Sequence, residues 1–254
     1  MPASVMWREL TAEDLRAKAA ANAIVVLPVA SVEQHGPHLP VGVDSILCEG
    51  VCKAGAERAA NEAAVVVAPT LWCGMAEHHM AFGGTFTFDI PTYRAVLGCL
   101  LDSIARHGIK RVLIVNGHGG NIAALNAFLP DFTRATGLRL YACTYFDLAP
   151  TPIAALLEDQ QGVHHACEAE TSMMMALAPE MVRHERLPEA FGMLGADLSA
   201  LTRPTVGRYQ PFRQMTETGV IGDARKATPE KGNAFLEASA EALAKLLGER
   251  GGQG

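Results

Sequence analysis

The sequence predicts an α/β protein in which a mainly parallel β-sheet carries helices on both faces. Strand patterns and helix patterns alternate along the 254 residues, as is typical of parallel sheets whose strands are joined by helices. The clearest strand pattern is a continuous apolar run, AIVVLPVA at residues 23–30, and such runs indicate strands buried on both faces. Hydrophobic residues make up 49% of the chain and charged residues 19%, so the chain can bury a large core.

The predicted elements follow one another in a regular order. Apolar and β-branched runs predict strands at residues 24–30, 64–69, 112–116 and 138–145. Apolar residues at helical spacing predict helices at residues 11–21, 45–60, 92–107, 121–136, 168–178 and 229–247. The chain contains no internal repeat and no low-complexity linker. We therefore expect one domain over residues 1–254, a length that is ordinary for an α/β fold.

Two stretches lack a clear pattern. Residues 179–226 are rich in Pro, Gly and Arg and have weak periodicity. A long irregular segment in a compact enzyme is usually a lid, an oligomer contact or a partly mobile region. Residues 248–254 are predicted to be a frayed tail, because Gly248 can stop the last helix and no apolar residue follows it.

Polar side chains follow the first predicted strand. Glu33 and His35 alternate with Gln34, so in an extended segment both point to the same face. Glycines and prolines then delay the next helix pattern until Asp44. Two carboxylates and an imidazole thus lie at the carboxyl end of a strand, the edge where open α/β sheets bind ligands. The segment predicts a divalent-metal site, with a polar surface loop as the alternative for so short a pattern.

A second polar segment, GHGGN at residues 117–121, follows the strand pattern RVLIVN. Core packing explains a histidine among glycines poorly, whereas glycines let backbone N–H groups approach a ligand closely. A helix that begins at Gly119 or Gly120 would direct free N–H groups to the same place. The alternatives are a phosphate-binding turn or a plain strand-to-helix connection, but the order of glycines does not match a nucleotide fingerprint.

The third segment is HHACEAETS at residues 164–172, which leads into an apolar helix pattern. Helix capping explains glutamates at a helix start, but it leaves the paired histidines His164 and His165 unexplained. The three segments together offer five candidate metal ligands: Glu33, His35, Asp44, His118 and Glu168. A mixed set of carboxylates and imidazoles suits two borderline cations, such as zinc, manganese or iron, better than one structural zinc ion.

Four motifs, in one order along the chain, carry a family resemblance. They are EQHGPHLP at residues 33–40 with Asp44, EHH at 77–79 with Gly84 and Thr85, NGHGGN at 116–121, and HACEAETS at 165–172. In these motifs the chain resembles the creatininase family of metal-dependent amidohydrolases, over residues 9–232. The resemblance implies a three-layer α/β/α sandwich with a mainly parallel sheet, and a homo-oligomer, with a hexamer among the possible forms.

The resemblance also implies a role for each candidate residue. It places two divalent metal ions in each subunit, one at Glu33, Asp44 and His118, the other at His35, Asp44 and Glu168, with Asp44 bridging. His165 matches the family's catalytic histidine and is predicted to give a proton to the departing nitrogen. Glu170 is expected to orient His165 or a ligand, with helix capping as the alternative. Candidate substrate-binding residues are His79, Gly119, Gly120 and Cys167, although His79 would also suit an exposed polar loop.

The chain departs from the usual family pattern in two places, and it differs from creatininase itself in a third. The family usually has Gly where this chain has Cys167, so a reactive thiol is predicted beside the metal pocket. It usually has Pro-Gly-Thr where this chain has GGT at residues 83–85. Creatininase itself has a glutamate at the position of Gly120. The chain therefore resembles the broader family more than creatininase, and creatinine is not the expected substrate.

The predicted activity is hydrolysis of a non-peptide C–N bond, in an amide or cyclic amide, by a metal-activated water molecule. A formamide deformylase and a precursor-peptide peptidase of the same family are alternatives that share the metals. A non-catalytic metal-dependent binding protein is a further alternative. His165 argues against it, because a pure binding site needs no proton donor.

Composition narrows the partners and the compartment. The formal charge is −6 and no Lys/Arg stripe is present, which argues against nucleic acid as a partner and leaves a small-molecule amide. No uninterrupted apolar segment reaches the ~18 residues of a membrane-spanning helix, and the first residues lack a signal-peptide pattern, so we expect no membrane partner. The six dispersed cysteines indicate reduced thiols and a cytoplasmic protein.

Overall fold

Four parallel strands form the central sheet of the protein. In the computed structural model, which describes residues 4–193 and 208–251, they are β1 Ile24–Val29, β2 Val65–Val67, β3 Arg111–Asn116 and β4 Arg139–Thr144. Their order across the sheet is β2-β1-β3-β4. β1 and β3 pair over their whole length, from Ile24 opposite Arg111 to Val29 opposite Asn116. The four predicted strands are therefore confirmed, each within a few residues of its expected bounds.

Helices connect the strands and cover both faces of the sheet. They are α1 Ala12–Ala20, α2 Val43–Ala59, α3 Ile90–Arg106, α4 Ile122–Thr136, α5 Pro150–Leu156, α6 Glu168–Leu177 and α7 Pro229–Gly251. The sequence predicted all of these except α5, which is too short to show a periodic pattern. Among the described residues, none of the helices combines the length and the apolar character needed to cross a membrane.

Alternate residues of the central strands face two separate cores. On one face, Val26 and Val115 pack among side chains of α2, α6 and α7. On the other face, Val25 and Ile114 pack among side chains of α3 and α4. Because neighbouring residues of a strand point to opposite faces, a strand between two helical layers must be apolar throughout. The three-layer α/β/α sandwich predicted from the sequence is confirmed.

The described part of the irregular segment 179–226 contains only short elements. Among its described residues, the strands Phe191–Gly192 and Gly222–Asp223 pair antiparallel, and short 3₁₀ turns surround them. Residues 194–207 of this segment lie outside the described residues. At the end of the chain, α7 continues through Gly248 to Gly251, so the prediction that Gly248 stops the helix is wrong. A glycine in a helix costs only about 1 kcal/mol relative to alanine and need not end it. Residues 252–254 of the predicted tail lie outside the described residues.

Candidate metal centre

Acidic and imidazole side chains from four elements meet at the carboxyl edge of the sheet. Glu33 and His35 follow β1, and His118 follows β3. Asp44 lies in the first turn of α2, and Glu170 lies in the first turn of α6. All five residues are at most 4% exposed. The carboxyl ends of the parallel strands therefore hold a buried polar cluster, at the edge where such sheets bind ligands.

Gly117 allows α2 to approach the end of β3 closely. A Cβ atom at this position would lie 2.8 Å from Cys48 Cβ and 3.0 Å from Asp44 O, so a larger residue would push α2 away. Asn116 holds the same turn from the other side. Its side chain accepts the N–H of His118 at 3.1 Å and donates to the His118 carbonyl at 2.7 Å. The NGH sequence thus brings His118 and Asp44 together.

Asp44 lies at the middle of the cluster. Its Oδ1 is 3.1 Å from His35 Nε2, and its Oδ2 is 3.2 Å from His118 Nδ1. His118 Nδ1 also lies 3.0 Å from Glu33 Oε2. On the other side, potential ligand atoms of His35, His165 and Glu170 all lie within 4.8 Å of one another. Asp44 therefore presents one oxygen to each half of the cluster.

Backbone carbonyls orient the two histidines beside Asp44. His35 Nδ1 donates to Glu33 O at 3.1 Å, and His118 Nε2 donates to Met75 O at 3.2 Å. A carbonyl oxygen can only accept, so the proton of each neutral ring is held on the nitrogen that faces away from the cluster. When the ring is neutral, as a metal ligand must be, the other nitrogen presents its lone pair to the carboxylates. Histidine ligands of metals are oriented by hydrogen bonds of this kind.

Among the described residues, buried polar atoms of the cluster are left without a hydrogen bond, and a bound cation would give them a partner. Glu33 Oε2, His35 Nε2 and Asp44 Oδ2 have no hydrogen-bond partner within residues 4–193 and 208–251. Leaving polar atoms buried without partners costs free energy, and converging lone pairs repel one another. A divalent cation would satisfy both the carboxylates and the imidazoles. The mixed N/O donor set fits a borderline cation such as zinc or manganese.

The charges of the cluster shift its pKa values. Burial alone would lower the pKa of His35, but the Asp44 carboxylate raises it to about 9. Burial would raise the pKa of Asp44, but His35 and His118 hold it well below its usual range. Burial raises the pKa of Glu170 to about 7. Asp44 is thus kept ionised at the middle of the cluster, as a cation ligand must be.

The structure corrects the prediction that Glu168 belongs to this cluster. One Glu168 oxygen lies 2.5 Å from Lys231 Nζ, and the other accepts the N–H of Glu158 at 3.1 Å. Residues two apart on a helix point about 200° away from each other, so Glu168 and Glu170 cannot both face the cluster. Glu170 joins His35 and His165, and Glu168 fastens α6 to α7. The Glu-x-Glu pattern alone could not distinguish the two.

We expect Glu168→Gln to destabilise the protein by roughly 2 kcal/mol without loss of metal. The variant breaks a buried ion pair, and the loss stays below the usual 3–5 kcal/mol because Lys231 is partly exposed and keeps Glu158 at 2.6 Å. Glu170→Gln is the matched variant and should lose metal instead. Urea unfolding and elemental analysis of both proteins measure the two effects. Metal loss in Glu168→Gln alone would contradict the assignment.

Cys167 lies in the core and not in the pocket, so the prediction that it contacts substrate is wrong. The residue is fully buried in the apolar cluster that contains Met173 and Phe235. Its Sγ accepts the N–H of His164 at 3.3 Å. Burial raises the pKa of this thiol to about 12. The residue begins α6 as its N-cap, and its side chain points to the core, which the sequence could not show.

Thiol alkylation is therefore expected to leave Cys167 unmodified in the folded protein. Cys99 is exposed and should react first, without loss of activity, because it lies on α3 away from the cluster. Peptide mass mapping over time would identify the modified residue. Cys167→Gly provides the control. Because Cys167 is not expected to be the reacting thiol, any inactivation by the reagent should be no slower in this variant than in the wild type. Substrate-protected inactivation that disappears in Cys167→Gly would show that the thiol does face the pocket.

A cavity of about 700 Å³ opens beside the cluster. Its inner end is formed by the acid–imidazole cluster, and the predicted residues His165, His79, Gly119 and Gly120 also line it. Gly120 is sterically required, because a Cβ atom there would lie 2.4 Å from His118 Nε2. These four residues, each a candidate from the sequence, therefore lie beside the cluster.

A further part of the cavity wall comes from residues that the sequence did not single out. Arg208, Tyr209, Gln210, Phe212 and Met215 line it, and all belong to the irregular segment. The Phe212 ring centroid lies 4.2 Å from that of His79 and 4.9 Å from that of His165. No periodicity marks such a segment, so local sequence gave no signal for it.

The fold and the cluster together define the class of protein: an α/β/α sandwich with a candidate metal site at the carboxyl edge of its sheet. The sequence model of the creatininase family, described as creatinine amidohydrolase, matches residues 8–247. The chain belongs to the creatininase family.

Relatives of this chain include hydrolases. The creatinine amidohydrolase of Pseudomonas putida is 28% identical, over 98% of this chain and 98% of its own. The mycofactocin precursor peptide peptidase of Mycobacterium tuberculosis (strain H37Rv) is 30% identical, over 84% of this chain and 80% of its own. The 3-dehydro-scyllo-inosose hydrolase of Thermotoga maritima is 26% identical, over 97% and 83%. These relatives support a hydrolase.

Solved structures of the family agree with the fold. A creatininase described with Mn has a TM-score of 0.81 and 27% identity, over 98% of this chain and 99% of that chain. A mutant creatininase of the Zn-Zn type has a TM-score of 0.81 and 26% identity, over 98% and 99%. Together with the candidate ligand groups at Glu33, His35 and Glu170, they support divalent metal binding.

Proposed function

We propose that the protein is a metal-dependent amidohydrolase that cleaves a non-peptide C–N bond in an amide or cyclic amide. The observation that carries the proposal is the buried cluster at the inner end of the cavity, in which Glu33, His35 and Asp44 have buried atoms without a hydrogen-bond partner in the described chain. A stable protein tolerates such atoms where a ligand satisfies them. Substrate entering the cavity would meet that ligand directly.

The cluster supports two divalent ions of zinc, manganese or iron. Glu33, Asp44 and His118 would hold one, and His35, Asp44 and Glu170 the other. The two Asp44 oxygens face different histidines at 3.1 and 3.2 Å, which supports a bridging role for this carboxylate. When bound, such ions lower the pKa of water and polarise a carbonyl group.

His165 is the proposed proton carrier. Its Nε2 donates to Gln34 O at 2.8 Å, so Nδ1 is the nitrogen that can take up a proton. His165 Nδ1 lies 3.6 Å from Glu33 Oε1, and His165 lines the cavity. Burial holds the pKa of His165 well below its ordinary value, so the neutral ring can accept a proton at Nδ1 from the attacking water and pass it to the departing nitrogen.

Glu170 supports the turn that presents His165. Its Oε2 accepts the N–H of Ala166 at 2.6 Å, and Ala166 has a φ angle of +51°. A non-glycine residue in this region is strained, and strained residues often lie at functional sites. We propose that Glu170 both binds a cation and stabilises this turn. The hydrogen bond that it accepts from Ala166, which resembles a helix cap, would then also serve the site.

The cavity indicates a substrate larger than creatinine. Its volume of about 700 Å³ lies within the range of pockets that take drug-sized ligands. Apolar side chains also line it, including Ile122, Phe146 and Met215. A peptidase relative at 30% identity supports a linear amide of a modified peptide as the second candidate, and a formamide remains a third. A purely metal-binding function would leave the position of His165 unexplained.

A panel of amides tests the proposal. The protein would be stripped of metal, reloaded with zinc, manganese or iron, and incubated with cyclic ureides, formamides, creatinine and short peptide amides. We expect metal-dependent release of an amine from at least one non-peptide amide, and a slower reaction with creatinine. Hydrolysis of none of these compounds by any metal-loaded form would contradict the proposal.

An exposed apolar patch supports assembly into a homo-oligomer. Trp72 and Phe86 are 49% and 60% exposed and stack edge to face with ring centroids 5.5 Å apart. Ile90 and Val41 are also exposed, and exposed apolar patches mark interaction sites. We propose that a second copy of this chain covers them in a cytoplasmic oligomer, with no nucleic acid or membrane partner. Light scattering of the wild type and of Phe86→Asp would measure the change in mass.

A further inference from the structure

Gln34, between the ligands Glu33 and His35, has a side chain whose orientation is determined by its neighbours. Its Oε1 accepts the N–H of Gly36 at 2.9 Å, and its Nε2 donates to Gly219 O at 3.1 Å. The opposite orientation of the amide would place oxygen against oxygen and N–H against N–H. The NH₂ group of Gln34 therefore faces Gly219, and one of its two hydrogens is used there.

The second hydrogen has two candidate acceptors, and the backbone excludes one of them. Gln34 Nε2 lies 3.0 Å from His79 Nδ1 and 3.0 Å from His165 Nε2. His165 Nε2 also lies 2.8 Å from the backbone oxygen of Gln34, which can only accept. His165 Nε2 must therefore carry a proton and cannot accept another. The remaining hydrogen of Gln34 goes to His79 Nδ1.

This arrangement gives Glu33 two different histidine neighbours. Because His79 Nδ1 accepts, the proton of the neutral ring is on Nε2, 3.3 Å from Glu33 Oε1. Because the proton of His165 is on Nε2, its bare nitrogen is Nδ1, 3.6 Å from the same oxygen. Glu33 Oε1 thus accepts a hydrogen bond from the N–H of His79 and faces the unprotonated Nδ1 of His165, which donates none.

We propose that Gln34 is a positioning residue that fixes His79 as a donor to Glu33 and keeps Nδ1 of His165 free for proton transfer. The side chain of Gln34 sets the proton position of His79, and its backbone carbonyl sets that of His165. The benefit to catalysis rests on the function proposed above, whereas the proton positions themselves do not. Gln34 is not a ligand in either of the two cation sites proposed above, so its role differs from holding the cations.

Gly219 extends the arrangement to the irregular segment. It has a φ angle of +84°, and a Cβ atom there would lie 1.9 Å from Gln34 Oε1. Only glycine brings this carbonyl to the amide of Gln34. Two residues later, the N–H of Ile221 donates to the His165 carbonyl at 2.9 Å. The segment 219–221 therefore fixes both Gln34 and His165, which gives this part of the irregular stretch a function.

Nitrogen-15 NMR of histidine side chains in the metal-free protein tests the proton positions directly. We expect wild-type His79 and His165 both to show the pattern of a ring protonated on Nε2. Glu replaces Gln without a change of shape but cannot donate, so Gln34→Glu should move the His79 proton to Nδ1. A wild-type His79 protonated on Nδ1 would overturn the proposal without any variant, even if Gln34→Glu failed to fold.

Gln160 provides the matched control. It is also buried, its Oε1 accepts the N–H of Asp223 at 3.4 Å, and it packs against Gly222 as Gln34 packs against Gly219. Among the described residues its side chain hydrogen-bonds to Asp223 and to the Gly162 carbonyl rather than to a histidine. Gln160→Glu should therefore leave the His79 pattern unchanged, and an equal change in both variants would overturn the proposal.

Kinetics of the metal-loaded variants measure the consequence. We expect Gln34→Glu to lower kcat roughly 10- to 100-fold, the usual scale for a residue that orients a metal-site group, with metal content and KM within about twofold. Gln160→Glu should keep the wild-type kcat. A lower metal content or a raised KM at unchanged kcat would overturn the positioning role. If the wild type hydrolyses no amide, the proposed function fails, and the NMR patterns still decide the proton positions.

Discussion

Asp44→Ala is expected to remove most of both metal ions from the purified protein. The wild type should hold close to two divalent ions per chain. Asp44 offers Oδ1 beside His35 and Oδ2 beside His118, at 3.1 and 3.2 Å, so its loss removes a ligand from each ion. The substitution also removes the carboxylate that lies between the remaining like charges and lone pairs of the cluster. Elemental analysis after dialysis against metal-free buffer measures the content.

Two other variants separate the bridging role from a general effect. Glu33→Gln should lose mainly one ion, because Glu33 Oε2 lies 3.0 Å from the proposed ligand His118, whereas its Oε1 faces His79 and His165, which are not ligands in the proposed sites. Asp147→Ala removes an exposed carboxylate from the wall of the same cavity, and should keep both ions. Circular dichroism would confirm that each variant is folded. A full metal content in folded Asp44→Ala would contradict the dinuclear proposal.

The fold was predictable where the physical signal is local. β1 and β3 are continuous apolar runs, because each lies between two helical layers, and a sequence pattern records this directly. The helix containing Asp44 begins at Val43, two residues before its predicted start. Gly42 precedes it without a side-chain cap, so the sequence gave no capping signal for the start. α5 was missed because seven residues give too little periodicity to recognise.

The sequence predicted most of the residues that gather at the sheet edge, but not the direction of each side chain. The segments after β1 and β3 supplied Glu33, His35 and His118, because strand ends fix where such residues lie. At the start of α6, the choice between Glu168 and Glu170 depends on Lys231, which is 63 residues away from Glu168. The same holds for Gln34, whose partner Gly219 is 185 residues away. Tertiary packing decides such choices, and the local sequence contains no signal for them.

His165→Ala is expected to keep its metal ions and lose at least ~10²-fold in turnover, the usual scale for a positioned proton donor. The structure supports this role more than that of a ligand. Its Nε2 is occupied by Gln34 O at 2.8 Å, and its Nδ1 is 3.6 Å from Glu33 Oε1. The distances from His118 Nδ1 to Glu33 and Asp44 are shorter, at 3.0 and 3.2 Å.

Metal content and turnover measured on the same preparation distinguish the outcomes for His165→Ala. If the variant loses metal, His165 is a ligand, as its closeness to His35 and Glu170 allows. If metal and activity both survive, the proton comes from another group, and His164 on the cavity wall is the next candidate. His184→Ala, at an exposed histidine in the 3₁₀ turn His184–Glu189, is the control and should change neither quantity. Because the reaction must protonate the departing nitrogen, a normal metal content with lost turnover would indicate that the cluster binds the cations while His165 carries the proton.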